Sequence, residues 1–216
     1  MRLYHGSKCG IEGPIRPISR SCCDFGRGFY MGNEQLQPKT LICRSDTPKL
    51  YTLEFDSTGL VVRDLTVDLP WALFVAYNRG RMPTYAGTVV EDKMRELIAG
   101  ADVLHGRIAN DRVFFAAERF FDGSITIETL VAVLKALNYG DQYVAVTQRA
   151  CNAVRISSER TLDETECANL LERSERQRKR AEELTASIMR ERRHMDGRYI
   201  DEICDEIVEK GTLPCS

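Results

Sequence analysis

The spacing of apolar and polar residues predicts a chain of two parts. Up to about residue 160, short stretches that alternate or run apolar predict strands, and segments with helical spacing separate them. The predicted strands cover residues 2–5, 50–55, 60–65, 102–108 and 142–146. Because Asp56-Ser57-Thr58-Gly59 is typical of a turn, the strands within 50–65 are predicted to form a hairpin.

Helices are predicted where apolar residues recur every three or four positions. The predicted segments are 33–43 (interrupted by Pro38), 70–78, 89–99, a helix capped by Asn110, and 127–137. Strands and helices do not alternate strictly, so the order favours an α+β fold in which antiparallel sheets carry helices at one side. It does not favour a doubly wound nucleotide fold, because no Gly-x-Gly-x-x-Gly follows a strand and opens a helix.

The character of the sequence changes after Leu162. Residues 163–193 contain no glycine or proline and are rich in glutamate and arginine, which predicts a long, partly solvated helix. A shorter acidic helix is predicted at 198–210, with an inward face formed by Ile200, Ile203, Cys204 and Ile207. We therefore expect a domain at 1–160 and a helical extension at 161–216.

Composition narrows the class of protein. Hydrophobic residues make up 43% and charged residues 29% of the chain, as in an ordinary globular protein. The net charge of −2 gives no sign of nucleic-acid binding, and no apolar run approaches the roughly 18 residues of a membrane helix. Because the N-terminus also lacks an apolar signal region, we expect a cytoplasmic protein with no membrane partner. The eight cysteines lack metal-ligand spacing, so no metal site is predicted.

Two glycine-rich motifs carry the candidate chemistry. His5-Gly6-Ser7 ends the first predicted strand, and Phe25-Gly26-Arg27-Gly28-Phe29-Tyr30 follows a loop at 8–23. Glycine lets a flat ligand approach the backbone, an aromatic ring beside such a turn can stack on that ligand, and histidine can hydrogen-bond a sugar hydroxyl. Each motif alone is more often structural, as a turn or a surface histidine, but the combination is much more specific.

Together the motifs resemble the NAD-binding signature of ADP-ribosyltransferases of the diphtheria-toxin and poly(ADP-ribose) polymerase type. Residues 1–160 look most like an uncharacterised family of related bacterial domains, often met beside toxin–antitoxin genes. The resemblance implies a split β-sandwich with flanking helices, and NAD as the substrate. It also implies a transferase that cleaves the nicotinamide–ribose bond and passes ADP-ribose to a macromolecular acceptor, as a bacterial toxin.

The resemblance assigns roles to single residues. His5 would bind ribose hydroxyls, the Gly6 backbone would read the carboxamide, and Ser7 would support the ribose. Tyr30 would stack on nicotinamide, so the His5 imidazole and the Tyr30 phenol are expected to face each other across a slot as wide as a pyridine ring. The remaining predicted NAD contacts are Phe25, Gly26, Gly28 and Phe29.

At the third position of the signature, this sequence departs from the family pattern. Gln142-Tyr143-Val144 resembles the strand that supplies a catalytic glutamate in the polymerase branch, with Gln142 in place of that glutamate. A glutamine oxygen can accept a hydrogen bond from ribose, but it carries no charge and cannot act as a base. This favours transfer of a single ADP-ribose, slow NAD hydrolysis, or binding without turnover. Asp111 could supply the missing carboxylate, although an aspartate here is also typical of a helix N-terminus.

Three functions follow from these observations. The first is a mono-ADP-ribosyltransferase with His5, Tyr30, Gln142 and Asp111 as catalytic residues. The second is a catalytically silent NAD-binding or protein-interaction module, in which residues 163–210 bind an antitoxin or a second copy of the chain. The third is an RNA 2′-phosphotransferase-like enzyme on the same fold, which would need a cluster of basic residues that the sequence does not clearly show.

Overall fold

A computed structural model describes residues 1–108, 111–137 and 140–214, without the side chains of residues 111–114. The described residues form seven strands, eight α-helices and a 3-10 turn at Pro83–Tyr85. The strands are β1 (Arg2–Ser7), β2 (Phe29–Gly32), β3 (Lys49–Phe55), β4 (Val62–Leu65), β5 (Val103–Arg107), β6 (Asp141–Ala145) and β7 (Val154–Thr161). The helices are α1 (Leu36–Ile42), α2 (Leu69–Asn78), α3 (Val89–Leu97), α4 (Asp111–Phe121), α5 (Ile127–Ala136), α6 (Gln148–Asn152), α7 (Glu164–Glu191) and α8 (Ile200–Lys210).

All seven strands belong to one sheet, in the order β4-β5-β6-β2-β1-β3-β7. Neighbouring strands are antiparallel except β4 and β5, which are parallel. A mostly antiparallel sheet covered by helices is an α+β architecture, so the fold class predicted from the order of elements is confirmed at that level.

The hairpin predicted at 50–65 is wrong. β3 lies between β1 and β7, whereas β4 lies at the opposite edge of the sheet and pairs with β5. Parallel neighbours need a long crossover, and residues 66–102 provide one through α2 and α3. The turn itself forms, because the Asp56 carboxylate accepts a hydrogen bond from the Thr58 backbone N–H at 3.0 Å.

The edge strand β7 has no counterpart among the predicted strands. It pairs with β3 from end to end, with a register shift between Thr52 and Leu53 of β3 where β7 has one extra residue, Ser157. Nearly all β7 residues are exposed, so no apolar alternation marks the strand in the sequence. Charged side chains on an exposed edge also disfavour pairing with other chains, which is a structural reason for this composition.

The two faces of the sheet carry different cores. One face packs against α2, α4 and α5 around the fully buried Trp71, Phe74 and Phe120, and Leu104 and Val144 belong to this core. The other face carries a smaller cluster around Phe29, Met31, Tyr51, Val103 and Ala145, against which α6 and the loop residues Ile11 and Ile15 pack. We call them the helix-covered and the loop-covered face. Successive residues of a strand lie on opposite faces, as the neighbours Leu104 and Val103 do.

The helical extension packs against the body of the protein. One residue of α7 and four of α8 are buried in the same core as Trp71: Ala181, Ile200, Ile203, Cys204 and Ile207. The inward face predicted for the last helix is therefore confirmed. Leu184, which shares the apolar spacing of α7, is instead 40% exposed. In the described part of the chain, no helix has the length and apolar content needed to cross a membrane.

Candidate functional site

The sheet opens between β1 and β2. Among the described residues, these strands are in register only where Tyr4 faces Gly32, although β1 pairs with β3 along its whole length and β2 pairs fully with β6. The strands therefore diverge, and residues 5–7 face residues 29–31 without a continuous ladder. We call this place the β1–β2 opening. It brings the two sequence motifs together, as the resemblance implies.

Helix α1 closes one side of the opening at Gly6. A Cβ atom at this position would lie 2.5 Å from the Pro38 carbonyl oxygen and 2.9 Å from Ile42 Cγ2. Only glycine therefore lets α1 approach the strand this closely. Ser7 is already occupied in a turn, since its hydroxyl donates to the Gly10 carbonyl and accepts from the Gly10 N–H, both at 2.9 Å.

His5 bridges the opening. Its Nδ1 lies 2.7 Å from the Tyr30 carbonyl oxygen, and its ring stacks on Phe29 with centroids 4.4 Å apart. A carbonyl can only accept, so Nδ1 carries the proton and Nε2 holds a lone pair that can accept a hydrogen bond. Burial lowers the pKa of His5, and the hydrogen bond to Tyr30 opposes this shift only in part. The imidazole is therefore neutral at pH 7.

The Tyr30 hydroxyl points back into its own loop. It donates to the Gly26 carbonyl at 2.8 Å and accepts from the Phe25 N–H at 3.0 Å. Burial strongly raises the pKa of the phenol. The hydroxyl therefore closes the glycine-rich loop, and it stays protonated at any physiological pH.

The expected slot between His5 and Tyr30 is not formed. The His5 ring lies with Phe29 on the loop-covered face, whereas the Tyr30 ring packs against the helix-covered core. The alternation of side chains along β2 explains this, because Phe29 and Tyr30 are neighbours in the strand and point to opposite faces. The two residues meet through the backbone carbonyl of Tyr30, and their rings do not face each other.

The glycines of the second motif are required by packing. A Cβ atom on Gly28 would lie 2.3 Å from Val144 Cγ1, and one on Gly26 would lie 2.9 Å from Asn78 Oδ1. Gly26 also has a φ of +74°, which other residues rarely adopt. Phe25 and Phe29 are 2% and 8% exposed, so neither ring offers an open face to nicotinamide. Both rings contribute to the core instead.

Gln142 lies next to the opening but is buried. It is 5% exposed on β6, where it faces Gly32 of β2 and Gly106 of β5. It shares the helix-covered face with Val144, two residues further along, and thus with Tyr30. Its Nε2 donates a long hydrogen bond of 3.4 Å to the Arg107 carbonyl. Asp111 begins α4, but its side chain lies outside the described residues.

A second polar cluster was not predicted from the sequence. His105 stacks on Tyr143 with centroids 4.2 Å apart, and its Nδ1 lies 2.6 Å from Asp64 Oδ1. An aspartate on Nδ1 fixes the tautomer and leaves Nε2 as a hydrogen-bond acceptor, as in the general base of a hydrolase. The pair borders a cavity of about 510 Å³ that Lys135 also lines. Asp64 reaches His105 only because β4 and β5 are parallel neighbours, a pairing that sequence spacing does not reveal.

A family model matches the part of the chain that forms the β1–β2 opening and most of the sheet. The model of a family described as protein of unknown function (DUF3990) matches residues 1–156, so this chain belongs to that family. The matched region contains both glycine-rich motifs and ends within β7, before the helical extension. No curated protein and no solved structure matches the chain.

Proposed function

We propose that the β1–β2 opening binds NAD and that the protein transfers a single ADP-ribose unit to a macromolecular acceptor. The observation that carries this proposal is the divergence of β1 from β2 at the two motifs, which leaves the His5 Nε2 available beside strand backbone that lacks a continuous ladder. The divergence of two neighbouring strands at the motifs supports the split β-sandwich that the resemblance implies. A toxin paired with an antitoxin is the biological role that the resemblance suggests.

In NAD binding and transfer, the residues would have the following roles. His5 Nε2 accepts a hydrogen bond from a ribose hydroxyl, and the Gly6 backbone holds the carboxamide. Since the rings of His5 and Tyr30 lie on opposite faces, nicotinamide lies at the end of the opening and not between the two rings. The acceptor attacks C1′ of the ribose as the C1′–nitrogen bond breaks, and nicotinamide leaves with the bonding electron pair. The acceptor's proton passes to a base or to water.

A second candidate function is NAD binding without turnover, and Gln142 favours it. Transition states that resemble an oxocarbenium ion are stabilised by a nearby carboxylate, and the amide of Gln142 carries no charge. It is also buried and already bonded to the Arg107 carbonyl. Because both candidates place NAD in the same opening, they differ only in what happens after binding.

Calorimetry and a labelling assay together test both candidates. We expect NAD to bind the full chain and His5→Ala to weaken this binding by about tenfold or more, the effect of one hydrogen bond of about 1.4 kcal/mol. His194→Ala is the matched control, because His194 is an exposed histidine of the extension. Labelled NAD and cell lysate then separate the two functions. A labelled macromolecule supports transfer. NAD binding that yields neither a labelled macromolecule nor released nicotinamide supports the silent module. Absence of NAD binding would refute both.

A further inference from the structure

The C-terminal end of α7 borders a cavity of about 530 Å³ that is separate from the β1–β2 opening. Phe115 of α4 and Met189 and Met195 give it apolar walls, and Arg190, Arg192 and Arg193 give it three positive charges. We call it the arginine cavity. Its size lies within the range of pockets that enclose small organic ligands. Residues of α4 and α5 in the family domain and residues of the helical extension together line this cavity.

The arginines of this cavity, in the last turn of α7 and just beyond it, differ from those in the middle of the helix. Arg176 and Arg178 pair with Glu172 and Glu175 of the same helix, at 3.3 and 2.7 Å. By contrast, no carboxylate among the described side chains lies within ion-pair distance of Arg190, Arg192 or Arg193. The residues that line the cavity include none with a carboxylate. The local charge is therefore positive, although the chain as a whole carries −2.

The burial of Arg192 is a second observation that points to an anionic ligand, independent of the net charge of the cavity. Its Nε atom is buried and has no hydrogen-bond acceptor among the described residues. A buried donor without a partner is costly, and the cost is larger when the group is charged. The planar guanidinium binds carboxylates and phosphates through paired hydrogen bonds.

The segment before Tyr199, which lines the cavity, is held against α5 by hydrogen bonds. Residues 197–199 pass so close to α5 that a Cβ atom on Gly197 would lie 2.4 Å from Glu128 Oε2. The Arg198 backbone N–H donates to the same Oε2 at 3.0 Å, and the Ile127 N–H donates to the Arg198 carbonyl at 2.9 Å. The chain next to Tyr199, Thr126 and Thr129 of the cavity is thus already ordered, so binding would need little further ordering there.

We propose that the arginine cavity binds a small organic anion with an apolar body. The anionic group lies on the Arg192 guanidinium, with Arg190 and Arg193 adding charge, and the apolar body packs on Phe115, Met189 and Met195. The chemistry suits a free fatty or aromatic carboxylate as well as the acyl end of an anionic lipid. Because the cavity includes residues from both sides of residue 156, ligand binding would fasten the extension to the family domain and stabilise the fold.

The test uses the full chain and the fluorescent probe 1-anilinonaphthalene-8-sulfonate, which combines an aromatic body with one negative charge. We expect saturable binding of the probe and displacement by decanoate. Decanol, which has the same alkyl chain without the charge, should need about ten times the concentration, since a hydrogen bond to a charged group contributes about tenfold or more in affinity. Arg192→Gln should weaken decanoate binding by a similar factor. Arg176→Gln, on the same helix but outside the cavity, should leave it unchanged.

A second variant keeps the test decisive if Arg192→Gln fails to fold. Met189→Glu places a carboxylate in the cavity, three residues from Arg192 on α7. We expect this variant to abolish decanoate binding, because the introduced carboxylate repels the anion and pairs with the arginines. Equal competition by decanol and decanoate, or decanoate binding by Met189→Glu as tight as by the wild-type chain, would overturn the proposal. Binding to phosphatidylglycerol vesicles without any binding of free decanoate would overturn it in favour of a membrane-surface role.

Discussion

The β1–β2 opening and the arginine cavity differ in how their polar groups are satisfied. In the opening, the His5 Nδ1, the Tyr30 hydroxyl and the Ser7 hydroxyl each already bind a backbone group of the protein. In the cavity, the Arg192 Nε is buried without a partner among the described residues. A sequence motif marks the opening, whereas only the positions of charges in the folded chain mark the cavity. A motif and an unsatisfied group are therefore independent indications of a ligand site.

The largest expected effect comes from crowding the glycine-rich loop where it packs on β6. Gly28→Ala would place a methyl group 2.3 Å from Val144 Cγ1 and 3.0 Å from the Ala145 carbonyl oxygen, so the loop and β6 must shift apart. We expect the free energy of unfolding to fall by about 1–3 kcal/mol, as for other overpacked sites. Urea unfolding followed by circular dichroism measures this loss.

Gly32→Ala, four residues further along the chain, is the matched control, because its new methyl group would find its nearest neighbour at an ordinary 3.4 Å. If the opening and the cavity are separate sites, Gly28→Ala should weaken NAD binding and leave the decanoate affinity unchanged. An equal loss of stability in both glycine variants would contradict the packing explanation.

The elements that could be predicted are those with a strong apolar pattern. α8 follows this rule, since its inward residues repeat at helical spacing and all are buried. β7 and the pairing of β4 could not be predicted, for two different physical reasons. β7 is exposed along almost its entire length and so lacks a pattern, whereas β4 pairs with a strand about 40 residues away through a crossover.

The candidate site, too, could be predicted from the sequence only in part. The two motifs predict that the His5 and Tyr30 side chains face each other, whereas the two residues meet through a hydrogen bond of 2.7 Å from His5 Nδ1 to the Tyr30 carbonyl. Which face each ring occupies depends on the register of β1 against β2, and a shift of one residue would exchange the faces. Neither the composition nor the residue spacing of the sequence predicts this register. The separation of the two rings therefore follows from tertiary structure alone.

A pH titration of stability tests whether the fold keeps His5 of the β1–β2 opening neutral. Burial lowers the pKa of His5 below 6.5 in the folded protein, so below pH 6.5 the unfolded chain binds a proton that the folded chain does not. Stability should consequently fall as the pH decreases from about 7 to 5, with a slope of at most about 1.4 kcal/mol per pH unit for one proton. Thermal unfolding in a series of buffers measures this slope.

His5→Asn is the control for this titration, because asparagine can still donate to the Tyr30 carbonyl but does not titrate in this range. The difference between the two slopes isolates His5 from the other histidines. Parallel curves for the wild-type chain and the variant would show that His5 is equally easy to protonate in both states, and hence that the imidazole is not held neutral by the fold.

The smallest expected effect concerns Glu166, which links α7 to β7 and to α1. Its carboxylate binds Arg160 of β7 at 2.7 Å and Lys39 of α1 at 3.1 Å, and α1 covers Gly6. The hydrogen bonds from Arg160, followed by that from Lys39, lower the pKa of Glu166 to about 2. We expect Glu166→Gln to cost about 1 kcal/mol at pH 7, as for a partly exposed ion pair.

The direction of the pH dependence distinguishes this effect from that of His5. A carboxylate with a lowered pKa stabilises the fold fully above its unfolded value of 4.5, and this contribution is lost as the pH falls from there towards 2. The stabilities of the wild-type chain and of Glu166→Gln should therefore converge below pH 4.5 and stay parallel above it. Glu175→Gln, which removes an ion pair internal to α7, is the matched control. If that variant lost as much stability, the link between α7, α1 and β7 would contribute no more than a surface pair.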